Sequence, residues 1–207
     1  MLTPTLEPSS PAWRDTPGAL SLARLTNMTR ILSSVEDTVE AGGVTYNVRV
    51  LHSSGGAAGG VVSEGQGYAL FMAGAVAAVL PSGHPRKSAT VSEAYEYFLG
   101  WRRMCELTSA YSCQDTFMCD GGRHECLPSW KFDDRLTREV GTGSAPDGDE
   151  DAILGMILLL LATQASPPPW WDELARWTYD SCKSFLAHLT HVLSPPTHVT
   201  STGAPPQ

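Results

Sequence analysis

Two groups of acidic residues, each beside glycine and each directly ahead of an apolar run, are where this sequence could do acid–base chemistry. The first is Glu64, in Ser63-Glu64-Gly65-Gln66-Gly67-Tyr68, followed by the run Ala69 to Leu80. Glycine lets the backbone turn tightly and lets a ligand come close. Glu64 is therefore expected at the mouth of a buried helix rather than on a solvated flank. The second is Asp147-Gly148-Asp149-Glu150-Asp151, directly before Ile153 to Leu161. Carboxylates at a helix start meet free backbone N–H groups and the positive end of the dipole. That accounts for one or two of these four, but not for all, because they also repel one another. Cleaving a glycosidic bond with inversion needs one carboxyl group to protonate the leaving oxygen and another, about 6.5–9.5 Å away, to activate water. If the helix starts at Glu64 and Asp147 converge, their carboxylates share a cleft. Tyr68, Trp130, Phe132 and Trp101 offer faces on which a sugar ring could stack, although each alone is explained as well by a place in the core.

Other chemistries fit less well. Asp147, Asp149 and Asp151 match the first three ligand positions of a calcium loop, but Ala152 stands where glycine is required and Leu158 where the bidentate Glu belongs. Cys105, Cys113, Cys119 and Cys126 are too widely spaced for zinc hooks. The Gly/Ser/Ala stretch from His52 to Gly60 lacks the phosphate-loop pattern, and no dinucleotide-binding glycine pattern occurs. No metal and no cofactor are expected.

The acidic groups resemble the two signatures of glycoside hydrolase family 8, the bacterial-type endoglucanases, chitosanases and reducing-end xylanases. Val62 to Tyr68 is similar to the family's S-E-G-Q-x-Y-G segment, and Gly143 to Asp151 to its G-S-A-T-D-A/G-D-x-D-I-A segment. Ser129-Trp130-Lys131-Phe132-Asp133 is similar to the A-W-R segment between them, and the order agrees. The resemblance spans Glu40 to Leu193. It implies an all-α fold, part of an (α/α)6 six-hairpin barrel, and inverting hydrolysis of β-1,4 bonds in a polysaccharide. It implies Glu64 as general acid and Asp147 as the residue that contacts and distorts the sugar at the cleavage subsite. Tyr68, Trp130 and Asp149 are implied as substrate-binding. Pro146 replaces the usual Thr, Ala152-Ile153 replaces Ile-Ala, and Ala69 replaces a glycine. The catalytic base of the family lies well beyond the second signature. Here Asp172, Glu173 and Asp180 follow it without a matching context, so no base is assigned. A partner chain or a missing C-terminal half is expected to complete the barrel; the alternative is a degenerate member that only binds carbohydrate or protein.

The elements that must hold these residues follow from periodicity. A helix is expected over Ser21–Ser34, with Leu22, Leu25, Leu32 and Val35 on one face, then a Gly42-Gly43 turn and an alternating strand or arm over Val44–Val50. Further helices are expected from the Glu64 turn to Leu80, over Val91–Met104, over Asp149–Gln164 and over Trp170–Leu193, the last with Leu174, Trp177, Ser181, Phe185, Leu189 and Val192 inward. Residues 18–193 are expected to form the domain, with Pro/Ser/Thr tails at 1–17 and 194–207.

Of the 207 residues, 22 are acidic and 14 basic, a formal charge of -8, which argues against a general nucleic-acid binder. The longest apolar run, Ala152 to Ala165, is too short for the about 20 residues of a membrane span. Met1 to Pro17 holds four prolines and two acidic residues and does not resemble a signal peptide. The clustered cysteines instead predict a disulfide-stapled loop, hence an extracellular or secretory location. Asn27-Met28-Thr29 is a glycosylation acceptor in such a setting.

Overall fold

Gly42 and Gly43 close a β-hairpin. Their φ values of +59° and +77° are those a two-residue turn between twisted antiparallel strands demands. The strands it joins are β1 (Ser33–Ala41) and β2 (Val44–Leu51). The computed structural model describes residues 32–52, 60–108 and 127–193. Most of the helix expected over Ser21–Ser34 lies outside these, as do the tails 1–17 and 194–207. Its end is corrected: Ser33 and Ser34 open a strand. Val35, Thr38 and Val39 are β-branched and pair with β2, and this outweighs the helical spacing that runs through Val35.

Four helices follow among the described residues: α1 (Ser63–Val79), α2 (Lys87–Leu107), α3 (Pro146–Thr163) and α4 (Trp171–Leu193). Three short strands, β3 (Val61–Val62) directly before α1, and β4 (Lys131–Phe132) and β5 (Glu139–Gly141) between α2 and α3, form one antiparallel sheet of order β3-β4-β5. The all-α expectation, with its partial six-hairpin barrel, is therefore overturned. The chain is mixed α/β, with a two-stranded and a three-stranded sheet among the described residues. The small sheet sits where the helix starts need it. Neither α1 nor α3 has a side-chain cap at its N-cap; at the start of α1 the backbone just before β4 supplies a partner instead, Ser63 N donating to Trp130 O at 2.9 Å.

Disulfide stapling is overturned as well, for the described residues. Cys105 and Cys182 are free thiols. Cys105 is a helical residue of α2 packed into the core, with no described cysteine bonded to it, and burial followed by the Asp149 and Glu106 carboxyls pushes its thiol pKa well up. Cys113, Cys119 and Cys126, and the loop that carries them, lie outside the described residues.

Aromatic side chains fill the centre. Tyr95 of α2 stacks on Trp170 at 4.2 Å between centroids and 6° between planes, Tyr46 of β2 meets Tyr95 edge-on, and Phe98 meets Trp177 of α4. Of the inward residues expected for α4, Leu174, Trp177 and Ser181 are buried, Phe185 packs against the core and Leu189 is half-buried, while the Val192 side chain lies outside the described residues. The Arg49 guanidinium donates twice to Glu96, at 2.9 and 2.7 Å, and clamps β2 onto α2.

Gln66 joins three elements and has no exposed surface. Its Nε2 donates to Arg49 O at 3.0 Å and to Tyr97 O at 2.8 Å, and its Oε1 accepts from Leu51 N at 2.9 Å. Gly100 makes room for it, because an ideal Cβ there would stand 2.5 Å from Gln66 Nε2. Gln66→Ala strands one buried donor and two buried carbonyls, and is expected to cost about 3 kcal/mol in urea unfolding. An unchanged midpoint would show that β2 is not held through this side chain.

Candidate active site

Glycines set the geometry of the two helix starts. An ideal Cβ on Gly67 would fall on the carbonyl oxygen of Gly148, and one on Gly74 would stand 2.5 Å from Gly155 O. One on Gly148 would stand 2.6 Å from Glu64 N and 2.7 Å from Glu64 Cα. Gly67 and Gly74 thus face Gly148 and Gly155 in the same order, so α1 and α3 run parallel with backbones in contact. Their N-termini lie side by side, and the positive ends of both helix dipoles gather at one place.

This end collects the predicted acids. Bond lengths and the Gly148 contact put Glu64 Cα within about 8 Å of Asp147 Cα. Both side chains are exposed. Asp147 Oδ1 accepts from Gly148 N at 2.9 Å, which holds one oxygen against the first turn of α3 and leaves the other free to reach a ligand. Glu150 is exposed and Asp151 half-buried; burial, then the charges of Glu150 and Asp147, push the Asp151 carboxyl up.

The predicted stacking residues divide. Tyr68 is 44% exposed and lies one turn after Glu64, on the same side of α1. Trp130 is 38% exposed and is fixed by its backbone, donating from N to Gly143 O at 2.7 Å and accepting at O from Ser63 N. Trp130 therefore bridges the loop before α3 and the first residue of α1. Its ring lies over Gly141, and the Lys131 ammonium stands 5.7 Å from the ring centroid. Phe132 and Trp101 are wholly buried and belong to the core.

Asp149 lies beneath this surface. It has no exposed area, and neither carboxyl oxygen has a hydrogen-bond partner. A sugar on the outer face does not reach it. Of the carboxylates that follow α3, Glu173 accepts from Arg102 at 2.6 Å and is tied into that ion pair. Asp172 is exposed and Asp180 half-buried on α4.

Sequence reasoning missed how the starts are joined. Gln66, Ser63 and the Trp130 backbone carry no motif of their own beyond the signatures. The glycine contacts did leave a signal, since Gly67 to Gly74 and Gly148 to Gly155 have equal spacing, two helical turns apart.

Among the described residues no cluster of His, Cys, Asp and Glu could hold a metal ion, and no helix is long and apolar enough to cross a membrane. No protein-family model, curated protein or solved structure matches this chain.

Proposed function

We propose that the chain binds a β-1,4-linked polysaccharide across the joined starts of α1 and α3 and hydrolyses it with inversion. In this reading Glu64 protonates the leaving glycosidic oxygen, and Asp147 binds the sugar hydroxyls at the cleavage subsite. Tyr68 and Trp130 provide ring faces to either side. The observation that carries the proposal is the backbone contact at Gly148, which sets two exposed carboxylates side by side at the ends of two parallel helices. Water-activating base is the role that no described residue fills, Glu173 being held by Arg102. A polymeric substrate implies work outside the cell or in the secretory pathway.

That unfilled role favours a second reading, in which the same surface binds glycan without cleaving it. A partner is also part of the proposal. Leu154, Ile157 and Leu161 of α3 are exposed, and the sequence from Ala152 to Pro169 carries no charge, so this side suits apolar contact with further protein.

The test is calorimetric titration with soluble β-1,4 gluco-, xylo- and chitosan oligosaccharides, together with NMR of the anomer released. At least one glycan should bind, and Asp147→Ala should weaken it ten- to about a hundredfold, the loss of one or two charged hydrogen bonds. The first product should carry the inverted configuration. Binding of none of the three, or affinity unchanged by Asp147→Ala, would sink both readings. Binding without any released sugar selects the second.

A further inference from the structure

Where α1, α2 and α3 meet, three side chains are buried without protein partners. Asp149 of α3 has no exposed surface and two unpartnered oxygens; Ser63 Oγ at the head of α1 and Trp101 Nε1 of α2 are likewise buried and unpartnered. They converge. The Cβ position of Gly148, next to Asp149, is 2.7 Å from the Ser63 carbonyl carbon. From the other side, the Asp149 carboxyl acts on the Cys105 thiol, which lies one turn along α2 from Trp101.

We propose that Ser63, Trp101 and Asp149 enclose an internal water site at the joint of the three helices, in which Asp149 stands as a neutral acid and donates its proton to the bound water. The inference holds whether or not the chain cleaves glycans. A bare carboxylate buried without hydrogen bonds costs several kcal/mol, and such a group takes up a proton instead. The neutral acid, the hydroxyl and the indole N–H still need partners, and one or two buried waters with two to about four hydrogen bonds each supply them. Of the titratable groups around it, Asp147 on the same helix pushes the same way as burial, and the buried Cys105 thiol on α2 stays protonated. Burial first, then the Asp147 charge, pushes the Asp149 carboxyl well above the usual range. With Asp149 neutral, the dipoles of α1 and α3 act on Glu64 and Asp147 without a third charge beneath them.

The sign of the pH dependence follows. Unfolded Asp149 ionises near its ordinary value of about 3.9, whereas in the folded chain it stays protonated. Folding takes up a proton, so the contribution of Asp149 is fully present below that value and is lost as pH rises toward the raised folded value. Asp149→Asn keeps the shape and removes the ionisation. At neutral pH it should raise the folded-to-unfolded ratio about tenfold or more over the native chain, with the advantage vanishing near pH 4. Urea unfolding across that range measures it. Infrared spectra at neutral pH should contain a protonated-carboxyl carbonyl band that is absent from Asp149→Asn, and a high-resolution crystal structure should contain water bonded to all three side chains. The proposal is overturned by an ionised Asp149 in the infrared spectrum, by a dry joint, or by a pH-independent difference between the two proteins. Should Asp149→Asn fail to fold, the band and the water in the native chain decide alone.

Discussion

Gly148→Ala is expected to destabilise the fold by about 3 kcal/mol and to part the starts of α1 and α3. Two effects compete. Alanine favours a helix over glycine by about 1 kcal/mol, and Gly148 is helical, so propensity alone predicts stabilisation. Against it, the new methyl would lie 2.6 Å from Glu64 N, 2.7 Å from Glu64 Cα and 2.7 Å from the Ser63 carbonyl carbon. All three are backbone atoms, so no side chain can swing aside. The helices must separate along their closest contact, which also opens the tightly packed joint around Asp149. Steric cost exceeds the gain in propensity, and the net loss is large.

A comparison isolates the site from the scaffold. Gly155→Ala meets Leu70 and Phe71 backbone at 2.6 Å, two turns further along the same helix pair. It should destabilise to a similar degree while leaving the Glu64 and Asp147 end closer to its native geometry. Gly83→Ala, with nothing within 4 Å of the new methyl, should stay within about 0.5 kcal/mol of the native chain. Urea unfolding of the three variants, with glycan affinity measured where each remains folded, gives the result. Gly148→Ala should lose both stability and affinity, and Gly155→Ala mainly stability. A Gly148→Ala protein as stable as the native chain would mean that the two helix starts are not in backbone contact, and the basis for pairing Glu64 with Asp147 would go.

What could be read from the sequence follows from which forces are local. The four helices announced themselves through long apolar runs and Pro81 and Pro167, and Trp171–Leu193 matched its expected span almost to the residue. The Gly42-Gly43 turn was equally plain, because positive φ at two positions leaves little choice of residue. The small sheet was not legible. Val61-Val62 and Lys131-Phe132 are two residues each, too short for any alternation, and they pair across a long sequence separation. Ser33 and Ser34 were misassigned for a related reason: helical spacing is a local signal, and strand pairing with Val50 and Leu51 is not. At the site, Asp147, Tyr68 and Trp130 stand at the surface, and Glu64 is exposed although its sequence context pointed away from a solvated flank. Asp149 was legible as an acid, but not as a buried one. Nothing in Asp-Gly-Asp-Glu-Asp says which carboxylate turns inward; the packing of α3 against α1 and α2 decides that.

Glu64→Gln should lower turnover of a natural β-1,4 polysaccharide by a factor of about 10² to 10⁴, the usual contribution of a positioned proton donor. The leaving group is a sugar hydroxyl, which departs poorly as an alkoxide, so the proton must arrive as the bond breaks. Glutamine keeps the size and the hydrogen bonding of Glu64 but has no such proton to give. Glu64 is exposed and makes no packing contact that the amide would disturb, so the fold and the glycan affinity should survive, the latter within about threefold. A substrate with a dinitrophenolate leaving group needs little protonation, and Glu64→Gln should cleave it at close to the native rate. This contrast separates an acid from a residue that merely binds. Loss on both substrates with weakened affinity would make Glu64 a binding residue, and a loss below tenfold on the natural glycan would leave the acid unidentified. If the native chain binds glycan and cleaves neither substrate, the paired helix starts are a recognition surface, and Glu64→Gln should then alter affinity alone.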